Sequence, residues 1–297
     1  MKRDFILGLI LVFVFLIMAM GIWMISNKRI MEVGPKKISV VTSFYPLYFL
    51  ASEIGKEKIA VTNITPVGIE PHDYEPTARD MAEIHKARIL ILNGGGFESW
   101  SGKIQNDINN VFVLEAAKGL TVGNDVHVWL SPELAKKESE AILAGLIQID
   151  PANRDYYTDN ALTLEGKLNK LMEDYKRGLA SCQSRKIITS HAAFGYLTRE
   201  FGLTQVAISG ISPDEEPSTK QLAEVTRVAR EDKVKYIFFE RLVSPKLAEV
   251  IAEEVGVETL VLDPIEGISD NDMERGANYL TIMEENLANL RIALECL

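Results

Sequence analysis

Three of the four histidines lie in loops beside predicted strands or helices, where α/β proteins place their ligand sites. His72 is bracketed by prolines in the segment PHDYEP and follows the alternating apolar run of residues 59–65. Proline on either side disfavours helix and strand pairing, so the imidazole is predicted to stand on a stiffened turn. His127 precedes a predicted helix, and His191 follows a predicted strand. Since neutral imidazole is a standard ligand of zinc and related first-row ions, their convergence would form a metal site.

One carboxylate has a position of the same kind. Asp263 ends a predicted strand over residues 259–262 and precedes a proline, so it is predicted to complete a closed site of three nitrogens and one oxygen. The alternative interpretation of Asp263 is an ordinary turn residue. His85 lies in the middle of a predicted helix and is expected to be an ordinary surface side chain. Glu240 ends another predicted strand, where it either orients a ligand imidazole or is simply solvated.

Strand-like and helical patterns alternate from residue 37 onward and predict an α/β fold. The pattern divides into an N-terminal lobe over residues 37–150 and a C-terminal lobe over residues 181–297, each with four strand-like runs. Residues 151–180 are predicted to form one long linker helix between the lobes. We therefore expect a small, mainly parallel four-stranded sheet in each lobe, with the metal site in the cleft between them.

The N-terminus carries a long apolar segment. Residues 5–26 contain no charged side chain, and a helix rising about 1.5 Å per residue over this length spans a hydrocarbon core of about 30 Å. A cleaved signal peptide has a shorter apolar core of about 7–15 residues, so a transmembrane anchor over residues 1–26 is favoured over a cleaved signal. Residues 27–36 are predicted to form a polar tether. Basic residues flank the segment on both sides and do not decide its orientation.

The formal net charge of −10 argues against a nucleic-acid-binding protein, in which a basic patch is expected. The chain contains two cysteines, Cys182 and Cys296, and no CxxC motif, so a thiolate metal site is not predicted. In an exported chain the two cysteines form either one disulfide or two separate thiols, and the sequence leaves both open.

From about residue 37 to the C-terminus, the chain resembles the zinc- and manganese-binding solute-binding proteins that deliver metal to ABC importers. Several separate motifs occur in the same order as in that family. They are SFYP at 43–46, PHDYEP at 71–76, DVHVWLSP at 125–132, SHAAFGY at 190–196, GISP at 210–213 with EPS at 216–218, and LDP at 262–264. The resemblance implies a fold of two (β/α) lobes joined by a long helix. It implies metal ligands at His72, His127, His191 and Asp263.

The resemblance also implies a function. Such proteins work outside the cytoplasmic membrane, where they capture a metal ion and pass it to the transmembrane subunit of a permease, and they are not enzymes. A monomer is expected, held at the extracytoplasmic face by residues 5–26, or periplasmic or secreted if that segment is cleaved. A lipid-attachment cysteine, frequent in relatives of Gram-positive origin, does not follow the apolar segment, so the anchor is expected to replace it.

Zinc is favoured over manganese, because three imidazoles and one carboxylate offer more nitrogen than the two-histidine, two-carboxylate set of manganese-type relatives. Many zinc-specific relatives carry a long His-rich loop before the second ligand histidine, whereas residues 118–124 here are short and contain no histidine. Two other functions stay open. A zinc metalloenzyme would hold its metal through the three histidines, keep an open position for water and use Glu240 as general base. A surface adhesin on the same fold is the second.

Overall fold

The computed structural model describes residue 8 and residues 13–20, 37–104 and 107–297. Residues 13–20 are helical, and Lys37–Leu297 forms a compact unit that is distinct from Met1–Lys36. Within the described ranges, no helix has both the length and the apolar character needed to cross a membrane. The predicted tether and most of the predicted anchor lie outside the described residues.

The N-terminal half of the compact unit builds one sheet of four parallel strands. The strands are β1 (Ile38–Thr42), β2 (Ile59–Asn63), β3 (Ile89–Leu92) and β4 (Phe112–Glu115). Their order across the sheet is β2–β1–β3–β4, and every residue of β3 is buried, as expected for a parallel sheet covered on both faces. The helices of this half are α1 (Tyr45–Gly55), α2 (Ala78–Lys86), α3 (Ser101–Ile104) and α4 (Pro132–Ile149), with short 3-10 helices at Lys56–Lys58 and Val128–Leu130.

Two helix caps define where the histidine loops of this half end. The loop that carries His72 ends at Thr77, whose hydroxyl accepts a hydrogen bond from the Asp80 N–H (3.3 Å), while the Asp80 carboxylate accepts one from the Thr77 N–H (2.8 Å). This capping box fixes the start of α2. The loop that carries His127 ends at Ser131, whose side chain caps α4.

One long helix connects the two halves. After a 3-10 turn, α5 (Arg154–Gly178) runs for about 37 Å at about 1.5 Å per residue. Near its start, the Asn160 side-chain amide donates to the Ile54 carbonyl at the end of α1 (3.0 Å). Near its end, the buried Tyr175 hydroxyl donates to the Met283 carbonyl in the C-terminal half (2.7 Å). The helix is therefore fastened to both halves.

The C-terminal half repeats the alternation of strands and helices. Its strands are β5 (Lys186–Thr189), β6 (Thr204–Ala207), β7 (Tyr236–Phe239) and β8 (Glu258–Val261). They form two parallel pairs, β5–β6 and β7–β8, and β5 lies beside β7. The helices are α6 (Gly195–Glu200), α7 (Thr219–Glu231), α8 (Lys246–Val255), α9 (Asp270–Glu274) and α10 (Tyr279–Ala293). The predicted α/β fold of two halves joined by a long helix is confirmed; the second set of four strands is divided into two pairs.

A disulfide closes the C-terminal half. Cys182, just past α5, is bonded to Cys296, and the Leu297 N–H donates to the Ser181 carbonyl beside it (2.9 Å). Of the two possibilities that the sequence left open, the structure therefore shows the bridge. It ties the end of the chain to the end of the connecting helix.

Reduction of this disulfide is expected to lower the free energy of unfolding by about 4–5 kcal/mol, because the bridge closes a loop with a sequence separation of 114 in the unfolded chain. Urea unfolding followed by circular dichroism, with and without dithiothreitol, measures the loss. The double variant Cys182→Ser/Cys296→Ser is the matched control, since it should match the reduced protein and not respond to dithiothreitol. Equal midpoints for oxidised and reduced protein would contradict the expectation.

Candidate metal centre

The three loop histidines and one glutamate meet at a single point between the two halves. The ligand atoms of His72, His127, His191 and Glu266 all lie within 4.8 Å of one another. The Nε2 atoms of His72 and His191 lie 3.2 and 3.4 Å from Nε2 of His127. Glu266 Oε1 lies 3.3 Å from Nε2 of His72 and of His127, and 3.4 Å from Nε2 of His191. The structure thus brings the three predicted histidines together around a carboxylate that the sequence analysis did not select.

These separations match five of the six edges of a small tetrahedron, and the sixth pair, Nε2 of His72 and Nε2 of His191, lies within 4.8 Å. A tetrahedron whose edges measure 3.2–3.4 Å has its centre about 2.0–2.1 Å from each corner, which is the usual distance from zinc to imidazole nitrogen or carboxylate oxygen. The side chains of His127, His191 and Glu266 are at most 1% exposed. The donors therefore converge in a buried space of the size that a four-coordinate zinc ion needs.

His127 is held from behind by Asp125. The Asp125 Oδ1 atom accepts hydrogen bonds from Nδ1 of His127 (2.9 Å) and from its backbone N–H (3.1 Å). The Asp125 carbonyl in turn accepts one from the Tyr196 hydroxyl (2.8 Å). A Cβ atom at Gly195 would come within 2.5 Å of Asp125 Oδ2, so a side chain there would displace the carboxylate that supports His127. Because Nδ1 donates to a carboxylate, the Nε2 lone pair of His127 is directed at the centre.

His191 is held in the same way by Glu240. It follows β5 directly, and its Nδ1 atom donates to Glu240 Oε1 at the end of β7 (2.6 Å). The Gln205 side-chain amide donates to the His191 carbonyl (2.8 Å), which fixes the backbone as well. Glu240 is 3% exposed, so it lies against the imidazole and not in solvent. The carboxylate–imidazole pair is the arrangement that orients metal-binding histidines.

His72 has different support. Its backbone N–H donates to Glu70 Oε1 (3.2 Å), and its ring packs edge-on against Phe97 with 4.8 Å between centroids. Within the described part of the chain, no carboxylate accepts a hydrogen bond from Nδ1 of His72. Its side chain is 8% exposed, whereas those of His127 and His191 are fully buried. His72 is thus the histidine of the centre with the weakest orientation from its surroundings.

The charged groups of the centre shift the pKa values of Glu266 and His191 in the direction opposite to burial. Burial alone would raise the pKa of Glu266, but His191 and the hydrogen bonds from the three imidazoles hold it well below its usual range. The carboxylate is therefore ionised, which is the form that binds metals. Burial alone would lower the pKa of His191, but Glu266 and Glu240 raise it to about 11. A metal ion that binds at His191 must therefore displace a proton.

The remaining candidates from the sequence lie outside the cluster. Asp263, the predicted fourth ligand, is buried, but its Oδ1 atom accepts the Ile265 N–H (2.8 Å) and its Oδ2 atom faces Nε of Arg241 (3.6 Å). Glu266, three residues further along, takes the place beside the histidines. In the sequence, Glu266 is visible only as the second acidic residue of the segment DPIEG after β8. The backbone path of this turn decides which of the two acidic side chains lies beside the histidines. His85 is exposed on α2, as expected.

Comparison with known proteins places the chain in a family. The sequence model described as "ZnuA: Zinc-uptake complex component A periplasmic" matches residues 40–293. The chain is 37% identical over 292 residues to the high-affinity zinc uptake system protein ZnuA of Bacillus subtilis, and the match covers 91% of each chain.

Two solved structures are also similar. The zinc-bound ZnuA-like domain of AdcA from Streptococcus pneumoniae has a TM-score of 0.79 at 36% identity, covering 88% of this chain and 100% of that domain. The laminin-binding protein Lmb of Streptococcus agalactiae, described as a bifunctional protein with adhesin and metal transporting activity, has a TM-score of 0.80 at 35% identity, covering 86% of this chain and 99% of that protein. With its three-histidine, one-glutamate centre between two (β/α) halves, the chain belongs to the ZnuA family of zinc-uptake complex components.

Proposed function

We propose that this protein captures zinc outside the cytoplasmic membrane and passes it to the transmembrane permease of an ABC importer. The observation that carries the proposal is the buried set of three imidazole nitrogens and one carboxylate oxygen, with five of their six separations at 3.2–3.4 Å. In this proposal the ligands are His72, His127, His191 and Glu266, and zinc is the cargo. The names of the relatives, a zinc uptake protein and a zinc-bound domain, support the same assignment.

Zinc fits this centre better than manganese does. Zinc accepts four nitrogen and oxygen donors in tetrahedral geometry, whereas manganese favours oxygen donors in octahedral geometry. Three of the four donors here are nitrogens, and their spacing suits distances of about 2.0–2.1 Å. The donor set therefore selects against manganese by both chemistry and size.

A binding role suits the centre better than a catalytic one. Catalytic zinc keeps three protein ligands and an open position for water, whereas the four donors here close the tetrahedron. Glu240, the residue that an enzyme would need as general base, is buried and bonded to His191. We therefore assign no enzymatic activity to the chain.

An extracytoplasmic location follows from two features. The Cys182–Cys296 disulfide forms and persists in oxidising compartments such as the periplasm or the cell surface. The apolar segment of residues 5–26 supplies an anchor to the membrane in which the permease resides. We propose that the body after residue 37 acts as a monomer on the outer side of that membrane.

Adhesion is the second candidate function, favoured by the likeness to the laminin-binding protein Lmb, whose description joins adhesin and metal transporting activity. Binding of the purified protein to immobilised laminin tests it directly. Saturable binding would add adhesion to the proposed transport role, and its absence would leave transport alone.

Titration of the purified protein with zinc and with manganese, in competition with a coloured chelator, tests the proposal. We expect one zinc per chain with submicromolar affinity and much weaker binding of manganese. His72→Ala should weaken zinc binding about 100-fold, since an average ligand contributes roughly a quarter of the ~10–16 kcal/mol of a four-ligand zinc site and His72 has the least support. His85→Ala is the matched control and should bind as the unmodified protein does. The proposal would be wrong if the unmodified protein bound no transition metal.

A further inference from the structure

We propose that Asp263 is a positioning residue: it holds the turn after β8 in the conformation that aims Glu266 at the metal centre. The inference rests on the proposed function and deepens it, because it assigns a role to a buried acid that does not belong to the ligand cluster. Its basis is the backbone of residues 263–266.

The turn contains a residue in an unfavourable conformation. Ile265 has a φ of +59° and is fully buried. This left-handed region is rarely occupied by β-branched residues, and holding a residue other than glycine there costs about 1–3 kcal/mol. Surrounding contacts must therefore hold Ile265 in place. The direct contact is the hydrogen bond from the Ile265 N–H to Asp263 Oδ1 (2.8 Å).

Buried side chains clamp the two residues before Ile265. Asn286 of α10 bonds the Asp263 backbone twice: its Oδ1 atom accepts the Asp263 N–H (2.8 Å) and its amide donates to the Asp263 carbonyl (2.7 Å). The Trp129 indole donates to the Pro264 carbonyl (2.7 Å). Three consecutive residues of the turn are thus fixed, each by a different partner. Glu266 is the next residue, so its approach to the histidines is determined by this turn.

The charge of Asp263 is paired with Arg241. Its Oδ2 atom lies 3.6 Å from Nε of Arg241, whose guanidinium also bonds Glu285 (2.7 Å). On the far side of Glu266, a Cβ atom at Gly267 would come within 2.9 Å of Leu242 Cδ1, so the chain is closely packed there as well. Loss of the hydrogen bond to Ile265 would let this strained residue relax, and Glu266, the next residue, would shift with it. The five donor separations of 3.2–3.4 Å depend on this turn keeping its conformation.

A double-mutant cycle on the full chain tests the proposal, with zinc affinity measured by chelator competition. Asp263→Ala should weaken zinc binding about 10- to 100-fold, the usual cost of losing a group that orients a ligand. Asp263→Asn should keep most of the affinity, because its amide oxygen still accepts the Ile265 N–H. In a Glu266→Gln background, Asp263→Ala should cause no further loss, since a positioning residue acts only through the residue that it positions.

A spectroscopic measurement separates positioning from general stability. Bound Co2+ absorbs visible light more strongly in a tetrahedral site than in an octahedral one, so Asp263→Ala and Glu266→Gln should both weaken this absorption and Asp263→Asn should retain it. If Asp263→Ala does not fold, Asn286→Leu, which removes both side-chain bonds to the Asp263 backbone, should weaken zinc binding only when Glu266 is present.

Three results would overturn the inference. A loss with Asp263→Asn as large as that with Glu266→Gln would mean that Asp263 binds the metal itself. Equal losses from Asp263→Ala with and without Glu266 would mean that it acts elsewhere. A zinc affinity of Asp263→Ala equal to that of the unmodified protein would mean that Asp263 has no positioning role. Each of these results is compatible with tight zinc binding by the unmodified protein, so each differs from a failure of the proposed function.

Discussion

His191→Ala is expected to weaken zinc binding about 1,000-fold, the largest loss among the three histidines. An average ligand contributes roughly a quarter of the ~10–16 kcal/mol of a four-ligand zinc site, or up to about 4 kcal/mol. His191 should lie at the upper end, because it is fully buried and its Nδ1 atom is bound to Glu240 at 2.6 Å. The same substitution also leaves the Glu240 and Glu266 carboxylates without the imidazole that lies between them.

The comparison with His72 makes this expectation specific. Both are ligands in the proposed site, but in the described part of the chain no carboxylate accepts a hydrogen bond from Nδ1 of His72, and its side chain is partly exposed. The ratio of the two losses therefore measures what the support of Glu240 adds. Zinc affinities of His72→Ala, His191→Ala and the control His85→Ala, measured by chelator competition, give that ratio. Equal losses at His72 and His191 would show that the carboxylate support contributes nothing.

The overall fold was predictable because its signals are local and repeated. Alternating apolar runs marked the strands, and the long charged stretch beginning at Pro151 marked the connecting helix. The histidines stood out for a related reason: each lies in a loop beside a strand or helix end, and parallel strands bring such ends to one edge of a sheet. Their convergence follows from the topology of the two halves.

The choice between Asp263 and Glu266 was not predictable in this way. The pattern shows that an acid follows β8, but the direction in which each acid points depends on the left-handed backbone at Ile265. That conformation is atypical for isoleucine, so no local propensity announces it. The two residues before Ile265 are held by Asn286 and Trp129, which are remote in sequence. The sequence therefore could not predict which acid joins the histidines, because tertiary contacts impose the strained backbone that decides it.

The sequence analysis named Glu240 as one candidate to orient a ligand imidazole, but for His72 and His127 the support differs from what the sequence suggested. Prolines around His72 indicated a rigid first ligand. In the structure, the side-chain supports belong to His127 and His191, through Asp125 and Glu240. Asp125 is two residues from His127, so a carboxylate–histidine pair was present in the sequence as a short-range signal. Proline restricts the backbone, whereas a hydrogen bond to Nδ1 orients the ring, and metal binding depends on the ring.

Glu138 carries the second large prediction, which concerns pH and stability. It lies on α4, fully buried, and within the described residues neither of its carboxylate oxygens has a hydrogen-bond partner. Two ionisable groups interact electrostatically with Glu138: the buried Glu98 carboxylate and the Tyr279 hydroxyl of α10. Burial, and to a lesser extent Glu98, raise the pKa of Glu138 from its usual 4.5 to about 8. An unpaired buried carboxyl is thus kept protonated in the folded protein at neutral pH.

The sign of the effect follows from proton binding. Between pH 4.5 and about 8 the folded state holds a proton at Glu138 that the unfolded state has released, so the free energy of unfolding falls as the pH rises through this range. Above about pH 8 both states are ionised and the loss is complete. Glu138→Gln removes the titration and keeps the shape. Its stability should therefore be close to that of the unmodified protein at pH 4.5 and greater by about 3–5 kcal/mol above pH 8.

Urea unfolding of both proteins at a series of pH values measures this difference, and the titrating groups that do not interact with Glu138 cancel in the comparison. Glu140→Gln, an exposed position on the same helix, is the matched control and should show no such divergence. A constant difference between Glu138→Gln and the unmodified protein from pH 4.5 to 8.5 would mean that Glu138 is hydrated or paired when ionised. A pH-dependent difference in stability for Glu138→Gln, and none for Glu140→Gln, would instead show that ionisation of the buried Glu138 carboxyl destabilises the N-terminal half.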